Sequence, residues 1–220
     1  MEKVIVTGAA GFIGSNLCEA LLKEGYDVHG VDDMSGGTRD KVPQGVTFHS
    51  ADICDTKMLT DIFAGASYVF HCAARPRVPY SIDHPQESHK ANADGTLSVL
   101  VAARDAKVKR VIYSASSSAY GNQETLPLSE NMRPYPMHPY GLQKFIGEEY
   151  CRIFSEVYGL ETVSLRYFNV YGPKLNPEGA YALVIGIFIR QKKAGEPLTI
   201  TGDGEKTRDF THVSDVVRAN

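Results

Sequence analysis

Residues 4–14 read VIVTGAAGFIG, and this stretch decides the fold. Val4, Ile5 and Val6 form a short apolar, β-branched run that suits a buried strand. Gly8, Gly11 and Gly14 follow at three-residue spacing, and Phe12, Ile13, Leu17, Ala20 and Leu21 then recur at helical spacing. A strand, a glycine turn and a helix start are the parts of a dinucleotide pyrophosphate site. The helix end offers unpaired N–H groups and a partial positive charge. Gly8 would permit the tight turn, Gly11 the close approach of backbone to phosphate, and Gly14 the packing of helix on sheet. A plain strand–helix turn could use the same triplet, so the next strand matters. Asp27–Asp32 ends on an acid 18 positions after Gly14. An acid at about this distance normally holds the ribose hydroxyls of NAD and repels the extra phosphate of NADP. A solvated strand-end aspartate is the plain alternative. Asp33, Met34, Ser35, Gly36 and Gly37 form a polar turn beside the expected adenosine, and Arg39 weakens the case for strict NAD preference.

The rest of the chain agrees with an α/β enzyme. It has 220 residues, 43% hydrophobic and 22% charged, enough for one or two globular domains with a proper core. A net charge of −3 without a basic run gives no footprint for nucleic acid. Cys18, Cys54, Cys72 and Cys151 lack paired spacing and read as reduced core residues, so no metal site is expected. The N-terminus runs straight into a strand, and no apolar run reaches the ~18–20 residues of a membrane span. A cytoplasmic chain with neither signal peptide nor membrane contact is the expectation.

Val46–Asp52 alternates and reads as a third strand, with Asp52 and Ile53 at its carboxyl end, where an adenine edge could be met. Thr56–Phe63 reads as a helix capped by Thr56 or Asp55. Tyr68–His71 starts a fourth strand, and the small residues Cys72, Ala73 and Ala74 after it let a flat cofactor sit close. His71 reads as a structural residue, not a base. Arg75–Pro85, with three prolines, is expected to be a loop walling the cleft. Glu87–Asp105 reads as one helix weakened at Gly95, followed by a strand at Arg110–Ser114. This alternation predicts a doubly wound parallel sheet.

Ser114-Ala-Ser-Ser-Ser-Ala-Tyr-Gly121 follows that strand, where ligands of such sheets gather. Its adjacent hydroxyls could bind a polar substrate or form an idle turn. Tyr140 and Lys144, four apart past Pro139, share one face of the next expected helix. A phenol of pKa about 10 is a poor base at neutral pH. A nearby ammonium and a positive nicotinamide ring would stabilise the phenolate.

With these residues in order, the sequence resembles the extended short-chain dehydrogenase/reductase family, and within it the nucleotide-sugar 4-epimerases. The resemblance rests on TGAAGFIG at 7–14, VDDMSGG at 31–37, HCAA at 71–74, SASSSAYG at 114–121, PYGLQK at 139–144 and LRYFNVYGP at 165–173. It implies a Rossmann domain over 1–168 and part of a smaller nucleotide-sugar-binding domain over 169–220. It also implies NAD as cofactor, a UDP-sugar substrate and a homodimer paired through two long helices. Ser116, Tyr140 and Lys144 match the family's catalytic set. Gly8, Gly11, Phe12, Ile13, Gly14, Asp32, Asp33, Met34, Ser35 and Gly36 match cofactor positions, as do Asp52, Ile53, Ala73, Ala74 and Ser114. Tyr167, Phe168 and Val170 fall where the family closes over the nicotinamide, and Asn92 where it often has a supporting asparagine. Ser116, Ser117, Tyr140, Asn169, Leu183, Val184 and Arg208 match substrate positions; a plain surface arginine is the alternative at Arg208. Helices at Ala180–Ala194 and near Ser214, a turn at Asn176–Gly179 and a strand at Leu198–Ile200 complete the expected pattern. Family members continue beyond position 220, so a C-terminally incomplete chain is expected. A 4,6-dehydratase or decarboxylase of the same family is the enzymatic rival, but Ser116 has serines and no carboxylate beside it. A non-catalytic NAD-binding module is the other alternative.

Overall fold

Six strands pair side by side in the computed structural model, which describes residues 1–176, 184–200 and 202–220. They are β1 (Lys3–Thr7), β2 (Asp27–Asp32), β3 (Thr47–Ser50), β4 (Tyr68–His71), β5 (Arg110–Ser116) and β6 (Glu161–Tyr167). All pairs are parallel, in the order β3-β2-β1-β4-β5-β6. Strand alternation sends side chains to two separate cores. Val4, Val6, Val28, Phe70 and Ile112 meet Leu17, Cys18 and Leu21 of α1 (Phe12–Lys23) on one face. Ile5, Val69, Val111 and Tyr113 face the opposite way. They meet Leu59 and Phe63 of α2 (Thr56–Phe63) and Val99 and Leu100 from the helix at Gly95–Asp105. Both faces are therefore covered, as a parallel sheet requires. Strand order reverses between β1 and β4, which opens a crevice at their carboxyl ends.

Several expectations need correction. The third strand is shorter than Val46–Asp52, because Asp52 turns back and accepts the Cys54 N–H at 2.9 Å. Asp55 caps α2 through the Met58 N–H. Arg75–Pro85 is not all loop: α3 spans Val78–Asp83, with Pro79 in its first turn, where a missing N–H is harmless. The helix expected over Glu87–Asp105 is split into α4 (Pro85–His89), a π-turn (Lys90–Asp94) and α5 (Gly95–Asp105). A Cβ on Gly95 would come within 2.6 Å of the Ile53 side-chain tip, which would have to move aside. Leu198–Ile200 is not a strand. Instead, the Gln191 side chain takes the Thr199 N–H at 3.1 Å and bonds its hydroxyl at 2.7 Å.

The helix bearing Tyr140 and Lys144 is α6, Pro139–Tyr158, ended by Gly159 at φ 70°. Of the helix expected at Ala180–Ala194, α7 covers Val184–Ala194; the part before it, with Leu183, lies outside the described residues, as does most of the turn expected at Asn176–Gly179. β7 (Asn169–Tyr171) pairs in parallel with β8 (Phe210–His212), and α8 (Val213–Ala219) packs on α1. Val170, Val213 and Val216 thereby cluster with Phe12 and Ile13. Among the described residues no helix is long and apolar enough to cross a membrane, and no group of side chains could hold a metal ion.

Candidate active site

The glycine turn after β1 forms one side of the crevice. Gly8 has φ 72°, a conformation most side chains avoid, and a Cβ there would lie 2.7 Å from the Ala73 nitrogen. A Cβ on Gly14 would overlap the Gly8 carbonyl oxygen, so the helix sits directly on the turn. Gly11 caps α1 without a side-chain bond, and a Cβ there would meet the Gly8 oxygen at 3.1 Å. The first-turn N–H groups at Phe12 and Ile13 thus face the crevice without a capping side chain, an arrangement that suits a pyrophosphate. Asp32, 8% exposed, accepts the Ala10 N–H at 3.0 Å and the Met34 N–H at 2.8 Å, one on each oxygen. Burial pushes its pKa up, and the two backbone bonds hold it down. Each oxygen keeps a lone pair for a ribose hydroxyl. Arg75 reaches across to the Ser35 carbonyl at 3.3 Å, and Asp33 accepts the Ser35 N–H, so the turn through Gly36 is tied to the loop after Ala74. These residues fit a bound dinucleotide.

Beneath Ala73 runs a buried chain of hydrogen bonds. The Ala73 N–H donates to Thr7 Oγ1 at 3.2 Å, and Thr7 Oγ1 bonds His71 Nδ1 at 2.7 Å. His71 Nε2 lies 3.0 Å from Thr96 Oγ1, which donates onward to the Asn92 carbonyl. Because the Thr96 hydroxyl spends its proton on Asn92, His71 donates through Nε2 and accepts at Nδ1, which makes it neutral. Burial brings its pKa down to about 3. The unfolded chain binds this proton first, so stability is lost as pH falls from about 6.5 toward 3. Urea midpoints should therefore fall between pH 6 and 4, and His71→Gln should flatten that slope. An unchanged slope in the variant would remove His71 as its source.

Asn92 supports the same loop from the π-turn. It accepts the Arg75 N–H at 2.7 Å and donates to the Arg75 carbonyl at 3.1 Å and to Gln143 at 2.9 Å.

The opposite wall carries the candidate reactive groups. Tyr140 and Lys144 stand one turn apart on α6, and Ser116 ends β5. Burial raises the pKa of the Tyr140 phenol, and a hydrogen bond with the Ser116 side chain lowers it. Lys144 is 3% exposed and donates to the Ser114 carbonyl at 2.7 Å; burial lowers its pKa to about 8. Its ammonium also lies 4.9 Å from the centre of the Tyr113 ring. Ser114 Oγ contacts Cys72 Sγ at 3.3 Å and the Tyr167 hydroxyl at 3.4 Å. Phe168 packs on Tyr120, 6.3 Å between ring centres. Arg166 lies over the Tyr120 ring and forks onto Glu148 of α6.

The remaining candidates lie further out. Ile53 is 8% exposed and belongs to the core under α2 and α5. Ser117 begins the short turn after β5. Asn169 donates to the Asp209 carbonyl, and Arg208 to the Thr207 carbonyl. Val184 is exposed at the start of α7. Among the described residues, none of these bonds Ser116, Tyr140 or Lys144. Sequence reasoning missed Ser81, which accepts the Tyr140 N–H at 3.1 Å, and His138, which caps α6. A side chain directly before an N1 proline was the available signal for His138; nothing local signals Ser81, 59 positions away.

A strand-order reversal that opens a crevice beside a glycine turn, with a helix end free of any side-chain cap, marks an α/β protein built to bind a dinucleotide. The chain belongs to the NAD dependent epimerase/dehydratase family, whose profile matches residues 4–220. It is 39% identical over 225 residues to a UDP-glucose 4-epimerase of Mycolicibacterium smegmatis, covering 99% of this chain and 71% of that protein. The crystal structure of a Thermotoga maritima UDP-glucose 4-epimerase with UDP-glucose superimposes with TM-score 0.96 at 40% identity, covering 99% of this chain and 72% of that one. A Thermus thermophilus UDP-glucose 4-epimerase in complex with NAD gives TM-score 0.90 at 35% identity, with the same shares of 99% and 72%.

Proposed function

We propose that the protein inverts C4 of a UDP-hexose or UDP-N-acetylhexosamine through a transient 4-keto sugar. The observation that carries this reading is the meeting of buried Ser116 and Lys144 with half-buried Tyr140 at the carboxyl end of β5. Tyr140, as phenolate, takes the proton of the C4 hydroxyl directly or through Ser116 Oγ. The C4–H bond breaks as the C4–O bond becomes a carbonyl, and the reverse events on the other sugar face restore the alcohol. Bound NAD supplies the acceptor for the C4 hydride and gives it back, so no outside reductant is consumed. Burial opposes ionisation of Tyr140, and the Ser116 bond favours it. The Lys144 ammonium, anchored on Ser114, adds positive charge along the same helix face.

Phe12, Ile13, Gly11 and Asp32 hold the pyrophosphate and ribose in this reading, with Ala73, Ala74 and Tyr167 along the ring. Asp33, Met34, Ser35, Gly36, Asp52 and Ile53 line the adenosine, and Phe168 and Val170 close over the nicotinamide. Ser117, Asn169, Val184 and Arg208 face the sugar nucleotide, in a region from residue 169 that serves the substrate while 1–168 serves the cofactor. The exposed apolar residues Leu142, Ile153 and Val157 along α6 offer a stripe for a second copy.

The experiment is NMR of UDP-galactose, and of UDP-N-acetylgalactosamine, incubated with the NAD-loaded protein. Appearance of the 4-epimer with no net change in NAD supports the reading. Loss of water or carbon dioxide would instead favour the dehydratase or decarboxylase, against which the absence of a carboxylate beside Ser116 argues.

A further inference from the structure

The helix that carries Tyr140 and Lys144 is closed at its start by an uncommon side chain. Ser, Thr, Asp and Asn are the ordinary acceptors at such a position. Here His138 accepts the Gly141 N–H through Nδ1 at 3.0 Å. An accepting Nδ1 means a neutral ring with its proton on Nε2. The ring lies nearly parallel to that of Tyr140, 6.2 Å between centres at 16°. Pro139 has no N–H, so the first two donors of α6 belong to Tyr140 and Gly141. Ser81 of α3 takes the first and His138 the second.

A proton on Nδ1 turns this acceptor into a donor. It also places a cation at the positive end of a 20-residue helix. Burial works in the same direction and holds the His138 pKa below its ordinary 6.5, opposed by a backbone hydrogen bond. The Tyr140 ring lies against that of His138, and the His138 ring and the Ser118 carbonyl from the turn after β5 both abut Gly141. Among the described residues no carboxylate or ammonium contributes to its shift. A neutral cap with a depressed pKa is complete above about 6.5 and is lost as pH falls through the lower folded value.

Resting on the function proposed above, we infer that His138 is a proton-sensitive positioning residue. Neutral, it holds the first turn of α6 and with it the Tyr140 ring. Protonated, it releases that turn, and turnover falls in acid.

The test pairs kinetic pH profiles from pH 5 to 8 with amide NMR of the NAD-loaded protein, following Gly141, for the parent, His138→Asn and His138→Ala. Asparagine caps without titrating. In the parent, kcat should fall below pH 6.5 while KM stays within about two-fold, and the Gly141 amide should move along the same curve. H138N should lose the acid limb and keep its Gly141 amide fixed. H138A should show kcat about five-fold lower even at pH 8, the equivalent of one lost cap. A Gly141 amide that stays still in the parent, or an unchanged acid limb in H138N, overturns the inference. Absence of any UDP-sugar turnover, with Gly141 still titrating in the parent and silent in H138N, sinks the proposed reaction and supports the cap by itself.

Discussion

Tyr140→Phe is expected to lower kcat by about 10²–10⁴-fold, the range typical for removal of a general base. The phenylalanine ring keeps its place beside His138, and the backbone N–H keeps its bond to Ser81, so fold and NAD affinity should hold. Only the oxygen is removed. The pH dependence gives a second check. A base must be deprotonated to work, so turnover of the parent rises with pH as Tyr140 ionises. Burial sets that ionisation high and the Ser116 hydrogen bond brings it down; a charge on Lys144 and a bound nicotinamide would lower it further. This limb lies above the one assigned to His138, so it should persist in H138N. Lys144→Met should move the limb to higher pH. A Tyr140→Phe protein within ten-fold of the parent would transfer the proton role to another group.

Gly14→Ala is expected to weaken NAD binding by about 10–100-fold and to lower the melting temperature as well. The new methyl would occupy the space of the Gly8 carbonyl oxygen, so α1 or the turn must shift. Overpacking of this kind costs about 1–3 kcal/mol. Gly11→Ala is the informative companion. Its Cβ would meet the Gly8 oxygen at 3.1 Å, a contact the fold can absorb, yet the methyl points where a phosphate would approach. The variant should keep its melting temperature and lose NAD affinity, measured by calorimetric titration. Equal melting losses in both would mean that the two glycines serve the fold alone.

Much of this was legible in the sequence for physical reasons. Buried parallel strands need continuous apolar runs, and Val4–Val6 and Tyr68–His71 supplied them. Residues four apart must share a helix face, so Tyr140 and Lys144 could be paired before any coordinates. The π-turn was hidden, because a π and an α turn read alike in sequence. What sets it apart is Asn92 reaching the Arg75 backbone and Gly95 lying against Ile53. α3 was masked by prolines that its first turn tolerates. Leu198–Ile200 has the composition of a strand, but Gln191 satisfied its backbone first. In the candidate site, spacing put Tyr140 and Lys144 on one face of α6. Their supports come from distant segments: Ser81 under Tyr140, Thr7 under Ala73, Arg166 against Glu148.

β6 borders β5 on one flank and, among the described residues, no strand on the other. Backbone donors and acceptors along such a rim act as a template for any extended peptide. The guanidinium of Arg166 sits on this strand with one buried nitrogen lacking an acceptor among the described residues. If nothing outside the described residues covers that rim, light scattering by the protein should rise more than in proportion to its concentration.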